Sequence, residues 1–453
     1  MIFFYTIMNF EQKKLKHKYH IITFGCQMNK NDSERIESIF ESMNMISTDT
    51  PEDADVILMN SCSIRESAED RIYSFSHEFA KLKEKKPNLI VVVTGCMPGR
   101  DKDGTLRKRL KGVDLFFPTK DVIMMPRWLS ELNPEFRPID LELDYLSVKP
   151  HVKTKFQAFV TIQTGCNQFC TYCVVPYARG MEVNRPLKDI LDEVKYLVNE
   201  GCLEITLLGQ IVNHWLAKED DKFSPNNPYT QNDFAKLLWE LNQIEGLERI
   251  HWTAPHPIHM DDEVIDALTL PKQLNFIHLP VQSGSSKILK KMNRKHTREL
   301  YLEKIKKIRA KKPDIAIGTD IIVGFCDETE EDFAETISLY QECDFDISYT
   351  AKYSTRSGTT ADKAFKDNIT QDEKKKRWFE LQHLMEDIVL RKNQLYLNKE
   401  VSVLVDTFKN GMCGGNSREI KRINFPGDKD LIGKIVKVTI TEAGHWILWG
   451  KVL

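Results

Sequence analysis

Six of the ten cysteines in the chain fall into two patterns that could bind metal. A compact triad has three and then two residues between its members, and a dispersed triad spreads over the amino-terminal third of the chain. The compact triad is Cys166, Cys170 and Cys173, and the dispersed triad is Cys26, Cys62 and Cys96. Thiolates in such sets bind zinc or iron–sulfur clusters. The scattered remainder are predicted to be buried thiols without a metal role: Cys202, Cys326, Cys343 and Cys413.

The dispersed triad follows three predicted strands. Apolar β-rich runs at 19–24, 55–59, 89–94 and 114–117 alternate with helix-like segments at 32–43 and 67–83, with Asn31 and Ser63 as predicted caps. This alternation predicts a doubly wound parallel α/β domain. Each cysteine of the triad comes directly after one of the first three strands, and parallel strands end at one edge of the sheet. We therefore expect the three thiols to converge there.

Three convergent thiolates without a fourth favour an iron–sulfur cluster with one open iron. Zinc is the alternative, although a structural zinc site normally has four protein ligands. Three unrelated core cysteines are the other alternative. Glycines 25 and 95, which precede two of the cysteines, would let the backbone approach a cofactor closely.

The compact triad lies at the start of a second alternating region. This region predicts a partial barrel of six β/α units with its chemistry at the carboxyl ends of the strands. The predicted strands are 156–162, 203–208, 249–253, 275–279, 315–323 and 347–353, and the predicted helices are 186–199, 232–244, 262–268, 285–292, 299–310 and 330–342. The compact triad follows the first strand. A zinc ribbon would have paired Cys-x-x-Cys motifs and a ferredoxin a nearby fourth cysteine, so an open-iron cluster is predicted here as well.

Composition sets broad limits on the function. Hydrophobic residues make up 41% and charged residues 29%, as in ordinary globular proteins, and the formal net charge is −2. Any RNA contact must therefore use local patches. The apolar segment 1–10 is too short to span a bilayer, and we favour a true start at Met8. Ten cysteines without an export signal indicate a cytoplasmic protein that uses thiols for metal binding or catalysis.

The compact triad resembles the signature of the radical S-adenosylmethionine (SAM) enzymes. In that family the open iron of a 4Fe–4S cluster binds the amino and carboxylate groups of SAM, and reductive cleavage gives a 5′-deoxyadenosyl radical. The resemblance implies further cofactor-binding residues. Tyr172 would pack near the adenine, Gly209 and Gln210 would lie where the methionine amino group binds, and Gly324 would contact the adenine side.

The resemblance extends over nearly the whole chain to the methylthiotransferases, and local motifs are similar to the MiaB-type tRNA branch. These are Phe-Gly-Cys-Gln-Met-Asn at 24–29, Asn-Ser-Cys-Ser-Ile-Arg-Glu at 60–66, Cys-Val-Val-Pro-Tyr-Ala-Arg-Gly at 173–180, His-Leu-Pro-Val-Gln-Ser-Gly at 278–284 and Met-Asn-Arg at 292–294. The resemblance implies conversion of N6-isopentenyladenosine, next to the anticodon of tRNA, to its 2-methylthio derivative. A second 4Fe–4S cluster on the dispersed triad would donate the sulfur.

Two alternatives stay open. A methylthiotransferase could act on threonylcarbamoyl adenosine or on a ribosomal-protein aspartate, and a non-enzymatic iron–sulfur or zinc scaffold could bind RNA. The implied partners are tRNA and an electron donor such as flavodoxin or ferredoxin, with no membrane contact and a monomeric state.

The predicted domains are an extension (1–18), a methylthiotransferase domain with the second cluster (19–150), a radical SAM core (151–384) and a TRAM-like RNA-binding barrel (385–453). In the tail, a helix is predicted at 371–391 and strands at 401–405, 434–441 and 445–453. Basic and aromatic residues there are candidates for RNA contact, although the aromatic ones could equally belong to the core: Arg418, Lys421, Arg422, Phe425, Trp446 and Trp449.

Five positions depart from the family pattern. Ile211 stands where Asn is usual, Cys326 and Asp327 replace Pro-Gly, and Thr355 and Ser357 replace prolines around Arg356. These changes flank the expected cofactor pocket and leave all six ligand cysteines intact.

Overall fold

The computed structural model describes residues 17–63, 66–136, 145–148, 150–151 and 154–453. The proposed start at Met8 and nearly all of the predicted extension lie outside the described residues. The chain divides into two compact units, Met1–His151 and Val152–Leu453. No described helix combines the length and apolar character needed to cross a membrane.

The first unit is built on a five-stranded parallel sheet of order β2-β1-β3-β4-β5. Its strands are β1 (His17–Thr23), β2 (Met45–Ser47), β3 (Val56–Ser61), β4 (Ile90–Gly95) and β5 (Leu115–Phe116). Its helices are α1 (Gln27–Ser42), α2 (Glu66–Lys85), α3 (Cys96–Arg100), α4 (Thr105–Lys108) and α5 (Met125–Leu132). The four predicted strands are confirmed, and β2 is an addition too short for its pattern to be recognised.

Both faces of this sheet are buried. Val56 and Leu58 of β3 belong to one core together with Ile36 of α1, whereas Ile57 and Met59 of the same strand belong to a second core on the opposite face. Successive side chains of a strand point to opposite faces, so a continuous apolar run is buried only when helices cover both sides. The predicted doubly wound architecture is confirmed.

The second unit begins with a six-stranded partial barrel. Its six strands are β6 (Gln157–Thr161), β9 (Glu204–Leu208), β10 (Arg249–Trp252), β11 (Phe276–His278), β12 (Ala316–Val323) and β13 (Ile347–Lys352). Two short strands between β6 and β9, β7 (Gln163–Thr164) and β8 (Val183–Asn184), form a separate antiparallel pair. The helices of this region are α6 (Val175–Arg179), α7 (Leu187–Asn199), α8 (Asp233–Asn242), α9 (Asp262–Ala267), α10 (Ser286–Lys291), α11 (Arg298–Lys311), α12 (Glu330–Cys343), α13 (Thr360–Ala364) and α14 (Gln371–Gln394).

The six main strands form two parallel groups, β6-β9-β10 and β11-β12-β13. A parallel bridge between Ile250 and Gln273 connects the groups. In the described part of the chain β6 and β13 are the two edges, so the predicted partial (β/α)6 barrel is confirmed. Side-chain caps begin several of its helices, for example Asn232 at α8 and Thr329 at α12.

The tail is a closed five-stranded barrel. It consists of β14 (Glu400–Lys409), β15 (Met412–Ser417), β16 (Arg422–Pro426), β17 (Ile435–Ala443) and β18 (Ile447–Val452), in the order β14-β15-β16-β18-β17. Phe425 is fully buried in its core, whereas Trp446 is 51% exposed. The small-barrel prediction is confirmed, and β15 and β16 are strands that the sequence pattern did not reveal.

The tail barrel packs on the amino-terminal ends of the central strands. Arg249, at the start of β10, donates to the carbonyls of Asn416 (3.1 Å) and Ser417 (2.7 Å). In the opposite direction Arg418 donates to the carbonyls of Pro271 and Gln273 at 2.7 and 2.6 Å.

The three basic residues of the expected RNA patch all have protein partners. Arg418 contacts the central barrel, Lys421 pairs with Asp346 at 3.2 Å, and Arg422 pairs with Asp406 at 2.6 Å. The basic RNA-contacting patch stays a prediction, since Arg418 and Arg422 are partly exposed. Arg418 and Lys421 hold the tail barrel against the central barrel, and Arg422 braces the tail barrel internally.

Candidate active site

The dispersed triad lies along one edge of the first unit's sheet. Thr23 of β1 pairs with Asn60 of β3, and Ser61 of β3 pairs with Gly95 of β4. Cys62 and Cys96 come directly after the second pair, and Cys26 follows β1 as the residue that caps α1. The parallel register therefore brings together the three cysteines from their distant positions in the sequence.

Two glycines allow this close approach. Gly25 has a φ of +136°, and a Cβ on it would lie 2.7 Å from the Cβ of Cys62. Gly95 has a φ of +104°, and a Cβ there would lie 2.2 Å from the carbonyl oxygen of Ser61. Any side chain at either position would push the strand ends apart.

Asn29 fastens Cys26 to the neighbouring strand, a role that the sequence pattern did not indicate. Its Oδ1 accepts hydrogen bonds from the backbone N–H of Cys26 (3.3 Å) and from its thiol (3.4 Å). Its Nδ2 donates to Oδ1 of Asn60 and to the carbonyl of Ser61, both at 3.1 Å. The predicted cap Asn31 is wrong, because α1 begins five residues earlier than predicted, with Cys26 as its cap. Cys26 thus lies at a helix N-terminus, a position that favours negative charge.

The compact triad lies in the loop between β7 and α6. The N–H of Cys166 donates to the carbonyl of Gly180 at 3.1 Å, and the N–H of Cys173 donates to the carbonyl of Cys170 at 2.9 Å. Gly165 has a φ of +71°, and a Cβ on it would lie 2.0 Å from the carbonyl oxygen of Met181. The loop is thus tightly folded back on the strand that follows it.

The three thiols of the compact triad are close enough to influence one another. Burial, with a further contribution from the negative charge of Cys170, raises the pKa of Cys173 to about 12. Burial likewise raises the pKa of Cys166, with Cys170 adding to the rise while the backbone N–H of Gln168 opposes it. Bringing three mutually repelling thiolates into this site therefore requires a compensating cation. The donor set fits an iron–sulfur cluster held by Cys166, Cys170 and Cys173.

Among the residues that the structure describes, no three His, Cys, Asp or Glu side chains converge on one metal ion. A cluster does not require such convergence, because each thiolate binds a different iron atom.

Arg294 is a charged residue that contacts the compact triad. Its Nη1 donates to the sulfur of Cys170 at 3.6 Å and its Nη2 to the carbonyl of Pro280 at 3.3 Å. Burial lowers the pKa of Arg294, but Tyr172 and Cys170 raise it by more, and the net pKa lies above its ordinary value. Arg294 therefore stays charged beside the sulfurs.

The predicted SAM-binding residues all lie at the carboxyl ends of barrel strands. Gly209 and Gln210 follow β9, where the buried amide of Gln163 accepts from the N–H of Ile211 at 3.0 Å. Tyr172 lies within the cysteine loop, with its ring centroid 6.4 Å from that of Phe325. These three residues keep their predicted role as an expectation.

Gly324 follows β12 with a φ of +70°. A Cβ on it would lie 2.3 Å from Cγ of Lys374, so the Lys374 stem occupies that face of the residue. Lys374 is fully buried and pairs with Asp367 at 2.7 Å. Sequence reasoning did not single out Lys374, since a lysine on a charged helix normally faces solvent.

Two of the five departures from the family pattern, Ile211 and Asp327, have structural explanations. Ile211 packs with Cys166, Cys173 and Val175, so an apolar side chain covers the cysteine pocket. Asp327 has a φ of +62°, where the family has glycine. Asp is one of the residues that tolerates this conformation, and here its Oδ1 accepts from the amide of Asn368 at 2.7 Å.

Four histidines lie close together at the carboxyl end of the barrel strands. The sequence pattern did not reveal this group, because most of its members are far apart in the sequence. The rings of His214 and His259 are 4.3 Å apart, and His256 lies 6.0 Å from His259 and 5.6 Å from His296. The hydrogen bond that the His214 ring donates to the Glu182 carboxylate raises the pKa of His214, whereas burial lowers the pKa of His259 to about 4 and that of His296 to about 3. The buried members are thus neutral at physiological pH.

Three family models match the chain in the order of its domains. They are the "Uncharacterized protein family UPF0004" over residues 18–118, the "Radical SAM superfamily" over 160–340 and the "TRAM domain" over 394–453. The last two models cover the central barrel and the tail barrel.

Two solved structures share the fold. The radical S-adenosylmethionine methyltransferase TsrM from Kitasatospora setae, with a TM-score of 0.52 and 11% identity, covers 74% of this chain and 73% of its own. The cobalamin-dependent S-adenosylmethionine radical enzyme OxsB, with a TM-score of 0.51 and 10% identity, covers 90% of this chain and 63% of its own. At this identity the likeness establishes the fold alone.

Curated relatives are similar over almost their full length. Proteins named "tRNA-2-methylthio-N(6)-dimethylallyladenosine synthase" from Clostridium botulinum (strain Okra / Type B1) and Thermoanaerobacter sp. (strain X514) are each 42% identical over 98% of this chain, covering 99% and 94% of the relatives. One from Geobacillus kaustophilus (strain HTA426) is 42% identical over 96% of this chain and 82% of its own. The chain therefore belongs to the tRNA-2-methylthio-N(6)-dimethylallyladenosine synthase family of radical SAM enzymes.

Proposed function

We propose that this enzyme converts N6-isopentenyladenosine, next to the anticodon of tRNA, to 2-methylthio-N6-isopentenyladenosine. The observation that carries the proposal is the compact triad at the carboxyl end of the first barrel strand, with three neighbouring cysteines whose thiolates would repel one another and a charged Arg294 against Cys170. The family name of the curated relatives agrees with it.

The chain's own residues prepare the central site for radical chemistry. Cys166, Cys170 and Cys173 would hold a 4Fe–4S cluster, which together with SAM supplies a 5′-deoxyadenosyl radical for hydrogen abstraction from C2 of the adenine. Ile211 and Val175 pack against the cysteines and keep water from that side of the pocket. Tyr172, Gly209, Gln210 and Gly324 would hold the SAM molecule.

The sulfur would come from a second 4Fe–4S cluster held by Cys26, Cys62 and Cys96, and the methyl group of the product would come from a second SAM molecule. Two observations support this assignment. The parallel pairing of β1, β3 and β4 brings these cysteines to one edge of the sheet, and Gly25 and Gly95 leave space beside them. Cys62 and Cys96 are buried, whereas Cys26 is half-buried. A cluster bound there would be reachable from the side of Cys26, as a sulfur donor requires.

RNA contact would involve exposed aromatic side chains that lie beside Lys421 and Arg422 of the predicted basic patch. Trp446 is 51% exposed and Tyr349 of the central barrel is 58% exposed, and both line a cavity of about 190 Å³ between the tail barrel and β13. Exposed rings of this kind stack on unpaired bases. We place an unpaired base of the tRNA in this cavity.

Replacing Trp446 or Tyr349 with alanine should each weaken tRNA binding about tenfold, since one stacked base contributes roughly 1–3 kcal/mol. Fluorescence anisotropy with labelled tRNA at fixed salt measures the dissociation constants. Phe379→Ala is the matched control, because Phe379 is also an exposed aromatic (43%) but lies outside the cavity. Equal effects of all three variants would contradict the proposed base contact.

The function itself is tested by nucleoside analysis of the product. Anaerobically reconstituted enzyme is incubated with SAM, dithionite and tRNA that carries isopentenyladenosine, and the digested RNA is analysed by mass spectrometry. The 2-methylthio nucleoside should accumulate. If product formed only with tRNA that carries threonylcarbamoyl adenosine, or only with a ribosomal-protein peptide, the substrate would be reassigned. If no product formed with any of the three substrates, a non-enzymatic binding scaffold would be favoured.

The cellular setting follows from this substrate. We expect a monomer that works in the cytoplasm, where tRNA is modified. Its one-electron donor would be a low-potential carrier such as flavodoxin or ferredoxin.

A further inference from the structure

The three sulfurs of the compact triad have hydrogen-bond donors of two different kinds. The backbone N–H of Val175 donates to Cys173 at 3.5 Å, and the backbone N–H of Gln168 donates to Cys166. Both of these donors lie two residues after the sulfur that they serve. Cys170 instead accepts from the guanidinium of Arg294, 124 residues further along the chain. Arg294 is therefore the donor to these sulfurs that carries a full positive charge.

The position of this guanidinium is held by several contacts. The segment 292–294 is fastened to the cysteine loop, because the N–H of Thr171 donates to the carbonyl of Met292 at 3.0 Å and the amide of Asn293 donates to the carbonyl of Phe169 at 3.0 Å. The second arm of Arg294 donates to the carbonyl of Pro280 at 3.3 Å. The charge thus stays beside Cys170 without depending on solvent or on a flexible partner.

A fixed positive charge and an N–H···S bond both stabilise a cluster that has gained an electron. Hydrogen bonds to the sulfurs, net charge and solvent exposure are the main protein contributions to the reduction potential of such clusters. Water would weaken the effect of the charge, but Ile211 and Val175 cover the cysteines with apolar surface. The contribution of Arg294 to the reduction potential of the cluster should therefore be large for a single side chain.

We propose that Arg294 raises the reduction potential of the cluster held by Cys166, Cys170 and Cys173, and so determines how readily that cluster accepts the electron needed for SAM cleavage. This inference rests on the proposed function. Arg294 would act on the cluster through Cys170, as a tuning residue, and would not itself touch the reacting atoms.

The test is a potentiometric titration followed by electron paramagnetic resonance, with dithionite as the reductant. The full-length protein carries Cys62→Ala in every sample, so that the central cluster dominates the signal. Arg294→Met should shift the midpoint potential to more negative values. Arg294→Lys should give a smaller shift in the same direction, because lysine keeps the positive charge but lacks the two donor arms of the guanidinium. Lys290→Met is the matched control, since Lys290 is an exposed cation on the preceding helix. The midpoint potential of this variant should equal that of the parent protein.

Several results would overturn the proposal. A midpoint unchanged in Arg294→Met, or shifted equally by Lys290→Met, would show that the guanidinium does not tune the cluster. Loss of the cluster in both Arg294 variants, measured as iron and sulfide content, would assign Arg294 to holding the loop. A parent protein without any reducible cluster would instead contradict the proposed function.

Discussion

Cys170→Ala should abolish reductive cleavage of SAM. Cys170 is the central member of the compact triad, its charge raises the pKa of both Cys166 and Cys173, and its sulfur accepts the hydrogen bond from Arg294. Two remaining thiolates would not hold a four-iron cluster that still needs a free iron for SAM. Release of 5′-deoxyadenosine under dithionite, without RNA, should fall to the level of a sample that lacks protein. Iron content should fall from about eight to about four atoms per chain.

The matched control for this variant is Cys202→Ala. Cys202 is also buried, but it lies just before β9, at the opposite end of the strand from the site. Its loss should leave both the iron content and 5′-deoxyadenosine release unchanged. Cleavage that persists in Cys170→Ala, or that disappears equally in Cys202→Ala, would show that the compact triad is not the SAM-cleaving centre.

Cys62→Ala should separate SAM cleavage from product formation. Cys62 lies between Cys26 and Cys96 in the strand order, so its loss removes the middle ligand of the dispersed triad. The central barrel belongs to the other compact unit of the chain, and its cluster should stay intact. We expect 5′-deoxyadenosine release in the absence of RNA to remain within about twofold of the parent protein, a change near the roughly 0.5 kcal/mol range of neutral substitutions. No 2-methylthio nucleoside should form.

Cys343→Ala provides the control here, because Cys343 is a fully buried cysteine at the end of α12. This variant should retain both activities after correction for the stability lost with a small core cavity. Methylthiolated product from Cys62→Ala would refute the sulfur-donor role of the dispersed triad. Loss of SAM cleavage in Cys62→Ala would mean that the two triads do not work as separate centres.

Local patterns predicted most of the elements but missed some that depend on distant partners. The α1 helix begins at Gln27 rather than at 32, because its cap is Cys26, and cysteine is not among the usual capping residues. Asn31 looked like a cap but is buried within the helix, where its Oδ1 accepts from Nε of Arg35 at 3.3 Å. The pattern identified the right helix with the wrong start.

The tail strands β15 and β16 were missed for a related reason. β15 contains Gly414 and Gly415, which weaken any strand pattern, yet a Cβ on Gly415 would lie 2.1 Å from the carbonyl oxygen of Leu404 in the neighbouring strand. Closure of the barrel requires glycine there, and closure is a property of five strands together. The protein partners of Lys421 and Arg418 could not be predicted for a similar reason, since Asp346 and Gln273 are far away in the sequence.

The amino-acid sequence by itself determined the class of each domain, the strands of the parallel sheets except the short β2, and the placement of six cysteines just beyond strand ends. Hydrophobic periodicity and residue spacing are local properties, and they are sufficient for these conclusions. Only the tertiary structure decided which side chains surround the sulfurs. Arg294 beside Cys170, Asn29 beside Cys26, Lys374 against Gly324 and the gathered histidines all depend on contacts between segments distant in the chain, which arise when strands pair and loops pack.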